Sequence, residues 1–315
     1  MRHLISLADL TDEELCLLVD RGRHYANSVI PEPCLAGRVV GTYFTQTSTR
    51  TRSAFSVAAL RLGAGLLTYQ RGDLQTNTGE TLADTGTVLG GMLDALVVRT
   101  SGGRAELDSL AAGTRMAVIN AMAKEEHPTQ ALTDLATMGN QLGKVDGLRV
   151  LYLGEGNNSA AALALALSRF AGVELHLRTP PGYGLVDDVL ATAKDIATAH
   201  GSLVDERDNM VDLPGDVDVI YTTRWQTTGT SKPTADWREI FQPFQVTERL
   251  WRNSPNAVFM HDLPAHRGEE VTAAVLDGPH SIAFEQARQK LHSAMAVLEW
   301  CLVTSTAGTD RMVAP

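Results

Sequence analysis

Five consecutive residues, Ser48-Thr49-Arg50-Thr51-Arg52, combine three hydroxyls with two guanidiniums. Hydroxyls give single hydrogen bonds and guanidiniums give planar pairs of them, so the run suits an oxyanion such as phosphate. The apolar run Val39–Phe44 precedes it and reads as a buried strand. Phe55, Ala58, Ala59 and Leu62 follow it on one face of a helix. Residues 48–52 therefore sit at a strand C-terminus and a helix N-terminus. Free backbone N–H groups and the positive end of the helix dipole favour an anion there. The competing reading is a Ser/Thr N-cap followed by two exposed arginines. The run is not a Walker A loop, because GxxxxGK[ST] is absent.

Two further segments add to this chemistry. Arg99 lies in the apolar run 95–100, on the same sheet edge as Ser48 if that strand is parallel. His127-Pro128-Thr129-Gln130 follows the run 116–120 and opens a helix, with Pro128 suited to its first turn. His127 and Gln130 then stay near the strand ends. Taken singly, each reads equally as a cap or a polar contact. Taken with residues 48–52, they form a set that binds phosphate and polarises a carbonyl.

The elements that must position these groups alternate between strand and helix. Strands are expected at 39–44, 95–100, 116–120, 148–153, 173–177 and 217–222. Helices are expected at 53–62 and 129–142, each closed by glycine, and at 282–304. Asn77-Thr78-Gly79-Glu80 resembles a capping box before another helix. This alternation predicts an α/β fold of two doubly wound parallel-sheet domains joined by interdomain helices. The first domain is expected at 1–140, with the C-terminal helix 282–315 packing back on it, and the second at 141–281. A chain of 315 residues is long enough for two cores.

With 27 Lys+Arg against 37 Asp+Glu, the formal charge is -10, which argues against sequence-independent nucleic-acid binding. Cys16, Cys34 and Cys301 form no CxxC pair, so zinc and redox readings are weak and a reducing compartment is expected. The N-terminus lacks a long apolar stretch, and the longest apolar run, 160–167, is too short to cross a bilayer. A soluble, cytoplasmic protein with no nucleic-acid or membrane partner is expected. Gly154-Glu155-Gly156 begins a glycine pattern, but GxGxxG is not completed.

Phe44 through Arg52 resembles the carbamoyl-phosphate signature of the aspartate and ornithine carbamoyltransferases. Gly79-Glu80-Thr81-Leu82-Ala83-Asp84-Thr85, Arg99 and Glu126-His127-Pro128-Thr129-Gln130-Ala131-Leu132 fall in that family's order. His261-Asp262-Leu263-Pro264-Ala265-His266-Arg267-Gly268-Glu269-Glu270-Val271 resembles its loop near the C-terminus. The resemblance covers almost the whole chain. It implies carbamoyl transfer from carbamoyl phosphate to an amino-acid amine, with no metal and no organic cofactor. It also implies a homotrimer with active sites at subunit interfaces, in which the 72–80 segment, through Gln75, would reach a neighbouring subunit's phosphate. The lysine often found a few residues later in that loop is absent here.

The resemblance also implies roles. Ser48, Thr49, Arg50 and Thr51 would hold phosphate, and Arg99 would bridge phosphate and carbonyl oxygen. Thr51, Arg99 and His127 would donate to the oxyanion, and Gln130 would contact the carbamoyl NH₂. Arg52 reads as a second phosphate ligand or a structural ion pair. Lys290 falls where the family often has a phosphate-binding arginine; the plain alternative is an exposed helix lysine. Asn157 and Asn158 would contact the acceptor, with Asn158 also readable as a helix N-cap.

Around the acceptor the pattern is mixed. Thr223-Arg224-Trp225-Gln226 resembles the Thr-Arg-x-Gln of aspartate enzymes, whose arginine and glutamine hold carboxylates. Thr223 stands where ornithine enzymes have an aspartate that holds the α-amine, and Asp262 stands where they usually have cysteine. Leu263 onward is closer to ornithine-type sequences. Asp262 would pair with a cationic amine, accept a proton, or be satisfied by backbone N–H groups. Arg224 with Asp262 fits a diamino acid such as ornithine or 2,3-diaminopropionate. Aspartate fits Arg224 but not Asp262. Catabolic phosphorolysis of a ureido compound and a subunit without catalysis are the competing functions.

Overall fold

The computed structural model describes residues 1–27, 31–227, 231–233 and 235–303. The expected helix end at residue 304, and the rest of 304–315, lie outside these described residues. Among the described residues, nine strands form two parallel sheets. The first holds β1 (Val39–Phe44), β2 (Gly65–Gln70), β3 (Ala95–Arg99) and β4 (Ala117–Asn120), in the order β2-β1-β3-β4. The second holds β5 (Arg149–Leu153), β6 (Glu174–Arg178), β7 (Leu203–Arg207), β8 (Val219–Thr222) and β9 (Val258–His261), in the order β7-β6-β5-β8-β9.

The helices are α1 (Asp12–Asn27), α2 (Arg50–Arg61), α3 (Leu82–Leu89), α4 (Arg104–Ala111), α5 (Pro128–Leu142), α6 (Asn158–Leu167), α7 (Asp187–His200), α8 (Trp237–Phe241), α9 (Ala273–Leu276) and α10 (Ala283–Leu302). α5 runs from the first sheet towards the second and stops at Gly143, whose φ of +80° closes the helix without a Cβ clash. α10 packs against α1, α2 and α5. The strands β1, β3, β5 and β8 and the edge strand β4 are almost wholly buried, as parallel strands covered on both faces are. Each fully buried Leu, Val or Phe in them contributes about 1.5–3 kcal/mol.

Each sheet reverses its strand order once, between β1 and β3 in the first and between β5 and β8 in the second. Neighbouring crossovers leave in opposite directions at such a point, which opens a crevice at the strand C-termini. The chain after β1 is the Ser48 run, and β3 ends on Arg99. The chain after β5 leads to Asn157, and the chain after β8 is Thr223-Arg224.

Several expectations are corrected. The second helix begins at Arg50 rather than Ser53, so the arginine run is part of the helix itself. Asn77–Glu80 is not a capping box. Gln75–Thr78 is a 3₁₀ turn, and α3 is capped by Thr81, whose hydroxyl accepts from the Asp84 N–H. The sequence reading did not find β2, β7 and β9. β2 and β7 are sheet edges with exposed residues, so they lack the continuous apolar run of a buried strand. β9 is only four residues long.

Candidate functional site

Both crevices open into one cavity of about 420 Å³. Ser48, Thr49, Arg50, Thr51, Arg99, His127, Gln130 and Lys290 line one part of it. Asn157, Asn158, Thr223, Arg224, Gln226, Asp262 and Leu263 line the other. Gln75 is not brought there. It is exposed at the start of the 3₁₀ turn, and its Oε1 accepts from Thr78 Oγ1 at 3.0 Å.

At the first part, α2 starts against the cavity. Thr49 occupies the N-cap position but makes no side-chain cap hydrogen bond, so its hydroxyl leaves the N–H groups of the first turn for another acceptor. β1 and β3 pair with Phe44 opposite Arg99, and the Arg99 carbonyl accepts from Thr45 N at 2.9 Å, which fixes the two strand ends together. Arg52 points away from this cavity. Its guanidinium lies 5.2 Å from the centre of the Phe44 ring, forms no ion pair among the described residues and does not line this cavity, so a cation–ring contact stands where a second phosphate ligand or an ion pair was expected.

The cationic groups here are poorly hydrated. Burial lowers the Arg50 guanidinium and brings Arg99 down to about 10, while Asp262 opposes both shifts. Lys290 is buried on α10, not exposed, and its Nζ donates to Gln130 Oε1. Burial brings its ammonium down to about 8. Three desolvated cations around one cavity cost free energy that a bound dianion would offset. His127 is the N-cap of α5 and buried. Burial first, then Lys290 and Arg99, hold its imidazole well below the usual range, so the ring is neutral near pH 7. Thr129 Oγ1 lies 3.3 Å from its Nδ1; if the hydroxyl donates there, Nε2 carries the proton and is free to donate.

At the second part, the structure reassigns the asparagines. Asn157, not Asn158, caps α6. Its Oδ1 accepts from Ser159 N and Ala160 N, and its Nδ2 donates to Thr223 Oγ1 at 2.9 Å and Thr227 Oγ1 at 3.2 Å. This amide braces the loop that follows β8. Asn158 Nδ2 donates to the Ala123 carbonyl at 2.7 Å, and its own carbonyl accepts from His127 N at 3.1 Å, tying α6 to the start of α5. Thr223 donates to the Arg224 carbonyl while accepting from Asn157, so local contacts already occupy its hydroxyl.

Asp262 follows β9. Its Oδ2 accepts from Ser159 Oγ at 2.9 Å, and its Oδ1 lies 3.5 Å from His261 Nδ1. A hydroxyl, not backbone N–H, holds it, and acceptor capacity remains facing the cavity. Arg224 is half-buried, with a buried Nε that has no hydrogen-bond partner among the described residues. Its neighbour Trp225 is 1% exposed and packs against Phe241 and Trp237, with ring centroids 5.6 and 6.5 Å away. That buried indole anchors the loop and sets where Arg224 emerges. Ser159 and Asp134, which hold the lining groups, were not found from sequence. Asp134 carried a readable signal, because it lies four residues after Gln130 on the same helix face.

Two parallel α/β sheets whose switch-point crevices meet in one cavity, cationic at one part and of mixed charge at the other, define a two-substrate α/β enzyme with an anion site. Comparison with known proteins gives the family. Residues 2–140 match the carbamoyl-P binding domain, and residues 146–301 the Asp/Orn binding domain, of aspartate/ornithine carbamoyltransferases. The ornithine carbamoyltransferase of Parafrankia sp. is 38% identical, covering 98% of both chains. That of Bacillus subtilis is 36% identical over 95% of this chain and 93% of its own. The solved ornithine carbamoyltransferase of Pyrococcus furiosus superposes with a TM-score of 0.89 at 36% identity, covering 96% of this chain and 97% of that one. The chain belongs to the aspartate/ornithine carbamoyltransferase family and is a carbamoyltransferase. Among the described residues no helix is long and apolar enough to cross a membrane.

Proposed function

We propose that this enzyme transfers the carbamoyl group of carbamoyl phosphate to the side-chain amine of a diamino acid, ornithine or a shorter homologue such as 2,3-diaminopropionate. The observation that carries this reading is the pairing of one guanidinium, Arg224, with one carboxylate, Asp262, in the same part of the cavity. A diamino acid brings a carboxylate to the first and an amine to the second. Aspartate would set its second carboxylate against Asp262. Named relatives that are ornithine carbamoyltransferases support the same class of acceptor.

In this reading Ser48, Thr49, Arg50, Thr51 and the first N–H groups of α2 hold the phosphate. Arg99 bridges phosphate and carbonyl oxygen. The neutral acceptor amine attacks the carbonyl carbon with its lone pair. Thr51, Arg99 and the His127 N–H donate to the oxyanion that forms. The carbon–oxygen bond to phosphate then breaks, and phosphate leaves with the bonding pair. Asp262 holds the amine and accepts the proton it loses. Gln130 Oε1 keeps one lone pair for the carbamoyl NH₂ after accepting from Lys290. Donors aimed at the oxyanion are each worth about 10²–10³-fold.

The protein acts as a homotrimer in which the segment 72–80 presents Gln75 to a neighbour's cavity. Its exposure on its own subunit supports this. Co-assembly of inactive Arg50→Ala and Gln75→Ala chains would restore part of the activity if sites are shared, and none if each chain works alone. The acceptor is tested by incubating the protein with labelled carbamoyl phosphate and ornithine, 2,3-diaminopropionate or aspartate. Carbamoylated diamino acid is expected. Carbamoyl-aspartate as the only product refutes the acceptor, and no carbamoyl-phosphate binding refutes the donor site.

A further inference from the structure

Asp134 lies on α5 with no solvent exposure and does not line the cavity. Its Oδ1 accepts from Gln130 Nε2 and from Gln286 Nε2, each at 2.7 Å, and its Oδ2 accepts from the Tyr221 hydroxyl at 3.0 Å. Each of these partners reaches further. Gln130 turns its Oε1 to Lys290. Gln286 turns its Oε1 to the His261 N–H at 2.8 Å, one residue before Asp262. Tyr221 is two residues before Thr223 on the strand that leads to Arg224.

We propose that Asp134 is a positioning residue for carbamoyl transfer: it orients the Gln130 amide and the Lys290 ammonium towards the donor, and through Tyr221 and Gln286 it fixes them against the strand ends that carry Arg224 and Asp262.

The argument is one of hydrogen-bond polarity. An ionised carboxylate only accepts, so it forces the Gln130 NH₂ towards itself and the amide oxygen towards Lys290. A neutral amide at 134 would accept or donate, and the Gln130 amide could then flip. The buried network is fully satisfied around this one acceptor, and such networks specify geometry more than they add stability. Charge follows geometry. Lys290 faces Arg50 from α2, Arg99 from the end of β3, His127 and Asp134 from α5, and Asp262 after β9. The two guanidiniums oppose its charge and the two carboxylates favour it. Burial pushes the Asp134 carboxyl up to about 7, against the pull of Gln286, Gln130 and Lys290. Without the Asp134 charge, Lys290 loses its proton at lower pH.

This rests on reading Gln130 and Lys290 as donor-site groups. The experiment measures kcat/KM for carbamoyl phosphate at saturating acceptor from pH 6 to 9.5, in wild type, Asp134→Asn, Lys290→Arg, Lys290→Ala and the Asp134→Asn/Lys290→Arg double variant. Asp134→Asn should move the alkaline limb down by about one pH unit, an effect typical of losing one nearby opposite charge. Its loss should then grow to about tenfold near pH 9 and shrink towards pH 6. With arginine at 290 that limb should vanish, and Asp134→Asn should add no pH dependence. Equal loss at every pH, or the same shift in the arginine background, overturns the proposal. An unchanged donor KM in Lys290→Ala overturns the donor-site reading of Lys290 and the proposal with it. Tyr221→Phe covers the case in which Asp134→Asn does not fold, because it keeps the carboxylate and cuts only the link to β8. It should raise the acceptor KM several-fold and leave the alkaline limb in place; an unchanged acceptor KM overturns the cross-sheet role.

Discussion

Asp262→Asn separates the two substrates by sign. The asparagine keeps the shape and can still accept from Ser159 Oγ, which lies 2.9 Å from the carboxylate. Only the charge and one acceptor position change. A hydrogen bond to a charged group is worth about 1.5–3 kcal/mol. Its loss should lower kcat/KM for the diamino-acid acceptor by about 10- to 150-fold, at about 1.4 kcal/mol per decade. Carbamoyl phosphate should respond in the opposite direction. Asp262 is the carboxylate that offsets Arg50, Arg99 and Lys290, so its neutralisation leaves the cavity more positive. Donor KM should therefore fall a few-fold. Steady-state kinetics with each substrate varied in turn read both numbers, and a thermal melt confirms the fold. Equal weakening of both substrates would mean that Asp262 is structural. An unchanged acceptor constant would remove it from the acceptor site.

Arg50→Ala should reduce donor kcat/KM by at least about 10²-fold. Its Tm should hold or rise, because a desolvated cation is taken from beside Arg99; near-normal turnover would refute the assignment. His127 is held well below the usual histidine range by burial. Below about pH 6.5 the unfolded chain takes up a proton that the folded chain refuses, so stability should fall by up to about 1.4 kcal/mol per pH unit there. His127→Asn should flatten that acid limb in a series of melts from pH 7 to 5, and an unaltered limb would assign it to other groups. Gly86→Ala should destabilise by about 1–3 kcal/mol, because its Cβ would sit 2.2 Å from the Leu110 carbonyl oxygen between α3 and α4. An unchanged Tm would show that these helices separate freely.

The parts of the site legible in sequence are those set by local rules. A strand, a hydroxyl–arginine run and an amphipathic helix follow one another without a break, so Ser48–Arg52 could be placed at a helix start before any tertiary contact was known. The same holds for His127-Pro128. Parallel pairing then had only to bring β3 beside β1 to add Arg99. The misreadings share a cause. Asn157 and Asn158 are neighbours of one type, and which of them caps α6 depends on where the chain enters the helix. Asn77–Glu80 has the spacing of a capping box, but the chain makes a 3₁₀ turn there and starts α3 at the next hydroxyl. Lys290 is no misreading: the resemblance placed it at the phosphate, although its own helix position would equally suit an exposed lysine. Only the packing of α10 against α2 and α5 buries it.

The sequence by itself placed an anion site at a strand–helix junction, because such a site needs only adjacent residues, and its resemblance to the carbamoyltransferases implied which anion is bound. The tertiary structure alone decided which groups face one another across the cavity. Asp262 meets the cations of the first sheet, and Asp134 gathers Gln130, Gln286 and Tyr221 from three separate elements. Charges and buried hydrogen bonds act over a few ångströms of space, and those distances are set by how the sheets and helices pack, not by separation along the chain.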